Sequence, residues 1–214
     1  MLDELKKGLA HFKTITYKKH EKLYSDLENT QNPHTLFIAC SDSRVSPEIL
    51  IDSDPGEVFT IRNIANTVPA YETSLNDITT VSSIEYAIDV LGVEEVIICG
   101  HSNCGGCAAV LNGWGHLTDL PYTQNYLKPL ETVKEKIEKE NAFKDEKTKA
   151  RLMEQMNVVE QVNHLKTFPG IQEKLATGQL EIEGWYFDIK SGNVSVYDES
   201  SNAFIKSEEY KSIR

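Results

Sequence analysis

Three short apolar runs constrain the fold of this chain more than any other feature: TLFIAC (35–40), EVFTIRN (57–63) and EEVIICG (94–100). Each has the length of a strand. The first and third are too continuously apolar to leave one face in water, so the runs are predicted to be buried strands of a parallel sheet. Asp54-Pro55-Gly56 turns the chain into the second run, and Pro47 is placed to open a short helix after the first. Leu75, Ile78, Val81, Ile84, Ile88 and Leu91 recur at helical spacing, which predicts an amphipathic helix over 74–91 that stops at Gly92. GGCAAVLN (105–112) begins another helix. Strands alternating with helices predict an α/β fold, a central mostly parallel β-sheet flanked by helices.

The remaining segments extend this core. Leu2, Leu5, Leu9, Phe12 and Ile15 form a modest apolar stripe in an N-terminal helical arm (1–30), which packs either on its own domain or on a partner subunit. Residues 123–166 read as helical throughout, with ETVKEKIEKENAFKDEKTKAR (131–151) as a solvated face. LEIEGWYFDIKSGNVSVYD (180–198) alternates around Ser191-Gly192-Asn193, a C-terminal hairpin with one strand extending the sheet. No linker or repeat divides the chain, so residues 1–214 are expected to form one domain, with 31–214 as the α/β core.

Charge narrows the partners. Lys and Arg number 22 against 33 Asp and Glu, a net charge of −11 that repels nucleic acid and anionic membranes. No stretch has the length of a membrane helix, and the N-terminus lacks a signal-peptide core. Four cysteines in 214 residues make no disulfide scaffold, so a cytoplasmic location is expected, with the thiols serving as core, ligands or catalytic groups.

The chemistry-bearing residues collect where the first and third runs end. Cys40 closes the first, and His101 and Cys104 follow the third in GHSNCGGC (100–107). Sites are built beyond the carboxyl ends of neighbouring parallel strands, so CSDSR (40–44) and HSNC (101–104) are predicted to meet. Two thiolates and one imidazole form a Cys2His zinc set with an open fourth position. Gly105 and Gly106 let backbone approach the metal loop and open a helix whose N-terminus favours thiolate at Cys104. Two rival arrangements employ Cys107: a closed Cys3His structural site with Cys40, His101 and Cys104, or a Cys104–Cys107 redox pair. Neither accounts for Asp42 and Arg44 beside Cys40. The open site is therefore adopted, with Cys99 and Cys107 as core. Arg44 keeps Asp42 ionised in a two-point ion pair, and Asp42 then accepts a hydrogen bond from zinc-bound hydroxide. Released from Arg44, the same carboxylate becomes a fourth ligand and closes the site.

Together with RNIAN (62–66), IEYA (84–87) and GWYFDIKSGNV (184–194), these residues resemble the β-class carbonic anhydrases, the motif-bearing match running from about Gln31 to Leu111. The resemblance implies one Zn2+ per subunit on Cys40, His101 and Cys104, with Asp42 and Arg44 as the catalytic dyad. It implies reversible hydration of carbon dioxide to bicarbonate and a proton, by attack of zinc-bound hydroxide. It also implies a homodimer, able to pair into a tetramer, with the N-terminal helices wrapped on the partner.

Within that family the chain resembles the kind with a glutamine and a tyrosine in the site, here Gln31 and Tyr86. The bicarbonate-regulated kind uses a tryptophan where this chain has Phe37. The resemblance makes Gln31 catalytic and substrate-binding, its amide N–H meeting the oxygen that gains negative charge, at the partner subunit's site. Phe59 and Ile64 then line the apolar side of the substrate pocket with Tyr86. Where some relatives place a candidate proton-shuttle histidine, this chain has Asp89. Two thiolates cancel both charges of Zn2+, so activity is expected to rise toward alkaline pH. Carbonyl sulfide and carbon disulfide are the alternative substrates for such a site.

Overall fold

The computed structural model describes residues 1–140 and 144–207; residues 141–143 of the charged run, and 208–214, lie outside the described residues. The amino-terminal segment is α1 (Leu2–His11), a π turn at Phe12–Thr16, the one-turn α2 (Tyr17–Lys19) and α3 (Glu21–Asp26). No residue of α1 is buried, and Leu2, Leu5 and Leu9 are 74%, 67% and 68% exposed. Among the described residues nothing covers its apolar stripe, so α1 does not pack on the core they form.

The three apolar runs form β1 (Thr35–Cys40), β2 (Val58–Asn63) and β3 (Glu95–His101). They pair in parallel, with β1 between the other two and every residue of β1 buried. Successive side chains alternate between two apolar layers, as a pleated strand requires. Leu36, Ile38, Val96 and Ile98 point into one cluster with Ile84, Ile88, Val162, Leu165 and Ile171. Phe37, Ala39, Ile97 and Cys99 point into the other with Val45, Leu50 and Trp185. The first face is covered by helices on 78–90, 146–165 and 169–176. The second is covered near Val45 by the short α4 (Pro47–Leu50), opened by Pro47 as predicted.

The helix expected over 74–91 is divided. A 3-10 turn at Tyr71–Asn76 leads into α5 (Ile78–Glu85), which Asp77 caps by accepting from the Thr80 N–H at 3.1 Å; a π turn, Tyr86–Val90, follows. Leu75 and Ile78 are exposed while Ile84 and Ile88 are buried, so only the carboxyl half of the stripe meets the sheet.

After β3 come α6 (Gly105–Leu111), α7 (Pro121–Leu127), a 3-10 turn at Lys128–Leu130, α8 (Glu131–Glu140), α9 (Glu146–Leu165) and α10 (Pro169–Ala176). The described part of 123–166 is thus largely helical, as expected, and is divided among several helices. The charged run is also not wholly solvated, because Val133 and Ile137 of α8 are buried against Met153 of α9.

The predicted hairpin is β4 (Glu181–Phe187) and β5 (Val194–Asp198), with β4 joining β3 in parallel. A strand the sequence reading lacked, β6 (Ala203–Lys206), pairs antiparallel with β5 and completes the order β2-β1-β3-β4-β5-β6. Among the described residues no helix is long and apolar enough to cross a membrane.

Candidate metal centre

Parallel pairing sets Cys40 level with Asn63 and one residue beyond the Ala39–Cys99 pair, so β1 and β3 end side by side. Their terminal residues converge. Ligand atoms of Cys40, His101 and Cys104 lie within 4.8 Å of one another, and all three residues are buried. Cys104 is the N-cap of α6, and its thiol lies beside those of Cys40 and Cys107. His101 Nδ1 lies 3.0 Å from the Ser102 carbonyl, an oxygen that can only accept. Nδ1 therefore carries the proton, and Nε2 presents its lone pair. That Nε2 is buried and has no hydrogen-bond partner among the described residues.

These donors fit a zinc ion. A buried, unpartnered imidazole nitrogen beside two thiols is costly unless something binds it. Cys40 is pushed up to about 12, by the adjoining Cys104 thiol first and by burial. Cys104 is raised too, by Cys107 first and also by burial. Thiols packed this closely resist ionising together, and a divalent cation is the group that reverses the balance. Cys107 is buried on α6 and is not part of the triad; Cys99 is fully buried within β3, where desolvation lifts it to about 12.

Asp42 and Arg44 form the expected two-point pair, Nε to Oδ1 at 2.9 Å and Nη2 to Oδ2 at 2.7 Å. The Arg44 backbone N–H adds a third bond to Oδ1 at 3.0 Å. The arginine side chain, first among the causes, holds the Asp42 carboxyl well below the usual carboxylate range. Asp42 Oδ2 lies 3.9 Å from His101 Nε2, so the ionised carboxylate borders the donor cluster while bound to Arg44.

The other predicted residues separate. Ile64 follows Asn63 directly, partly exposed, and packs beside α6: a Cβ on Gly106 would stand 3.2 Å from Ile64 Cγ2 and 3.0 Å from Ala65 Cβ. Gly106 thus permits close packing against the Ile64–Ala65 turn rather than the metal loop, whereas a Cβ on Gly105 would meet nothing within 4 Å. Phe59 pairs with Leu36, four residues below Cys40, or roughly 13 Å at the usual rise of a strand. Its ring packs on that of Tyr86, centroids 6.2 Å apart. Gln31 is exposed and precedes β1, at the end of the strand opposite Cys40. Gln31, Phe59 and Tyr86 therefore do not join the donor cluster of their own chain.

Several residues that the sequence reading assigned no role hold this site together. Arg62 donates to the Cys40 carbonyl at 3.2 Å and to the Asp42 carbonyl at 2.7 Å, clamping the CSD turn. Ala65 and Asn66 are left-handed, at φ 61° and 47°, an uncomfortable backbone for alanine. Helix α9 supports them: Asn157 Nδ2 donates to the Ala65 carbonyl at 2.9 Å, and Gln161 Oε1 accepts from the Val68 N–H at 2.8 Å. Glu154, also on α9, accepts from the Cys104 N–H at 3.2 Å. Glu154, Asn157 and Gln161 recur at helical spacing among Val158, Val162 and Leu165, and all six are buried. Polar residues falling on an apolar stripe were the signal available in the sequence.

The fold and these donors outline an α/β protein with a candidate metal site, and comparison with known proteins specifies it. A family model described as Carbonic anhydrase matches residues 35–194. A carbonic anhydrase of Helicobacter pylori is 36% identical over 205 residues, covering 94% of this chain and 93% of that one. The solved β-carbonic anhydrase CcaA superposes with a TM-score of 0.90 at 30% identity, covering 96% of this chain and 98% of its own. Tetrameric β-carbonic anhydrases from the filamentous ascomycete Sordaria macrospora give 0.80 at 32% identity, covering 91% and 95%. The chain belongs to the carbonic anhydrase family, in its β class, and is an enzyme whose general activity is the reversible hydration of carbon dioxide.

Proposed function

We propose that this chain hydrates carbon dioxide at a zinc ion held by Cys40, His101 and Cys104, one per subunit, with Asp42 and Arg44 as the dyad beside it. The observation that carries the reading is the convergence of the three donor atoms around an unpartnered His101 Nε2, with Asp42 Oδ2 at 3.9 Å. Zinc bound there supplies the Lewis acidity that makes a hydroxide nucleophile available at mild pH.

The residues of the chain do the rest. Arg44 occupies both Asp42 oxygens and so restrains the carboxylate from becoming a fourth donor. Asp42 stays ionised and accepts the O–H of the attacking nucleophile at Oδ2, which turns a lone pair toward the substrate carbon. Ile64 offers an apolar wall for a small apolar substrate. Gln31, Phe59 and Tyr86 act on the site of a partner subunit, where the Gln31 amide N–H meets the oxygen that gains charge. Their separation from the donor cluster of their own chain supports that assignment, as does the uncovered stripe of α1. The working unit is thus a homodimer with the 1–30 arm on its partner, and tetrameric relatives such as those of Sordaria macrospora make pairing of dimers the next level.

The site is of the Gln31/Tyr86 kind and is not regulated by bicarbonate. Phe37 is wholly buried and packs edge-on against Trp185 at 5.9 Å, in an apolar cluster with Val45, Ile97 and Cys99. Such packing offers an anion no polar partner. One domain spanning 1–214, working in the reducing cytoplasm, suits four free cysteines. Replacing Cys104 with Ser tests the reading: zinc and carbon dioxide hydration should be lost together, and hydration that persists without zinc would refute it.

A further inference from the structure

We propose that Glu154 is the positioning residue of the metal loop, fixing Cys104 through its backbone rather than its sulfur. The inference rests on the zinc-site reading above and deepens it. Glu154 is a carboxylate only 6% exposed, on a helix whose neighbouring buried side chains include Val158 and Met153. Both its oxygens are engaged: Oε1 accepts the Cys104 N–H at 3.2 Å, and Oε2 accepts the Tyr186 hydroxyl at 2.7 Å. The Asn103 N–H also faces this carboxylate.

The loop needs such a support. Asn103 is left-handed at φ 57°, a conformation asparagine tolerates but does not prefer. Arg44 Nη2 takes its carbonyl at 3.1 Å from the dyad side, while Glu154 takes the N–H groups from the core side. Residues 103 and 104 are thus suspended between the catalytic arginine and a buried carboxylate, and the direction of the Cys104 side chain follows from that backbone.

The sheet lets α9 come close enough to do this. A Cβ on Gly100 would stand 2.5 Å from Val158 Cγ2, and one on Gly184 would stand 2.9 Å from Val158 Cγ1. Val158 therefore seats between two glycines on neighbouring strands. Glu154, one turn away on the same face, reaches the loop just beyond Gly100. Tyr186 is the register partner of Gly100, which puts the hydroxyl that orients Glu154 beside the same loop. Partners of metal ligands typically change metal affinity by about 10–100-fold when altered.

Two substitutions separate reach from charge. Glu154→Asp keeps the charge and shortens the side chain by one methylene, so it cannot span to the Cys104 N–H. Glu154→Gln keeps the length, accepts that N–H through its amide oxygen and donates to the Tyr186 oxygen, but is neutral. The measurements are zinc affinity by chelator competition and the thiolate-to-metal charge-transfer band of the cobalt(II)-loaded protein. Glu154→Asp should bind zinc at least about tenfold more weakly and shift the cobalt band, whereas Glu154→Gln should stay within about threefold and keep the band. Any other pattern overturns the inference: both variants like wild type, both equally weakened, or Gln weakened with Asp unaffected. A wild-type protein that takes up cobalt without a thiolate band would instead fail the zinc-site reading, and this inference with it.

Discussion

Arg44 holds two things at once: its Nη2 donates to Asp42 Oδ2 at 2.7 Å and to the Asn103 carbonyl at 3.1 Å. One guanidinium therefore ties the dyad carboxylate to the loop that ends in Cys104. A lysine offers a single charged nitrogen and cannot reproduce that fork.

Arg44→Lys is accordingly expected to retain zinc while losing at least about tenfold in carbon dioxide hydration, because Asp42 is no longer held in a two-point geometry. Metal analysis beside stopped-flow rates checks this. Rates within twofold of wild type would show that the fork contributes nothing.

Cys107→Ser should leave zinc content unchanged and cost about 1 kcal/mol in stability, the consequence of a hydroxyl in a buried apolar site. Metal analysis and urea unfolding read the two parts separately. Loss of zinc would restore the closed Cys3His arrangement.

Gly100→Ala should destabilise the chain by about 1–3 kcal/mol, since its Cβ would stand 2.5 Å from the fully buried Val158. It should also weaken zinc binding by lifting α9 from the loop. Gly105→Ala, whose Cβ would meet nothing within 4 Å, should be tolerated. Thermal unfolding compares them, and equal stability of the two variants would contradict the packing argument.

Glu160 gives a pH-dependent prediction remote from the metal. Its carboxyl is lowered to about 2, by His164 first and then by Lys136, whose Nζ is 2.5 Å away. A depressed carboxyl stabilises the fold fully above its ordinary value of 4.5, and the contribution vanishes as pH falls toward 2. Glu160→Gln should thus be about 1–2 kcal/mol less stable than wild type at pH 7, with the gap narrowing below pH ~4.5. Unfolding curves across that range test it; a gap independent of pH would assign the loss to packing.

The strands and the donor triad were legible because both rest on local chemistry. A run such as TLFIAC has few fates but a buried strand, and Cys40, His101 and Cys104 sit where parallel strands end. The rest depended on packing at a distance. Glu154, Asn157 and Gln161 look like surface residues until Val158 and Val162 show which face of α9 is buried. The four residues AFIK of β6 become a strand only through pairing with β5. The resemblance makes Gln31 a site residue, whereas in its own chain it lies at the end of β1 opposite Cys40.

The central claim is zinc-dependent hydration at Cys40, His101 and Cys104. Its most direct test is stopped-flow carbon dioxide hydration, from mildly acid to alkaline pH, by protein carrying one zinc per chain and by the same protein stripped with a chelator. The account predicts a rate that requires the metal, rises smoothly toward alkaline pH through one ionisation and shows no cooperative loss below neutrality. Hydration that survives complete removal of zinc, or zinc fully bound with no hydration at any pH, would contradict it.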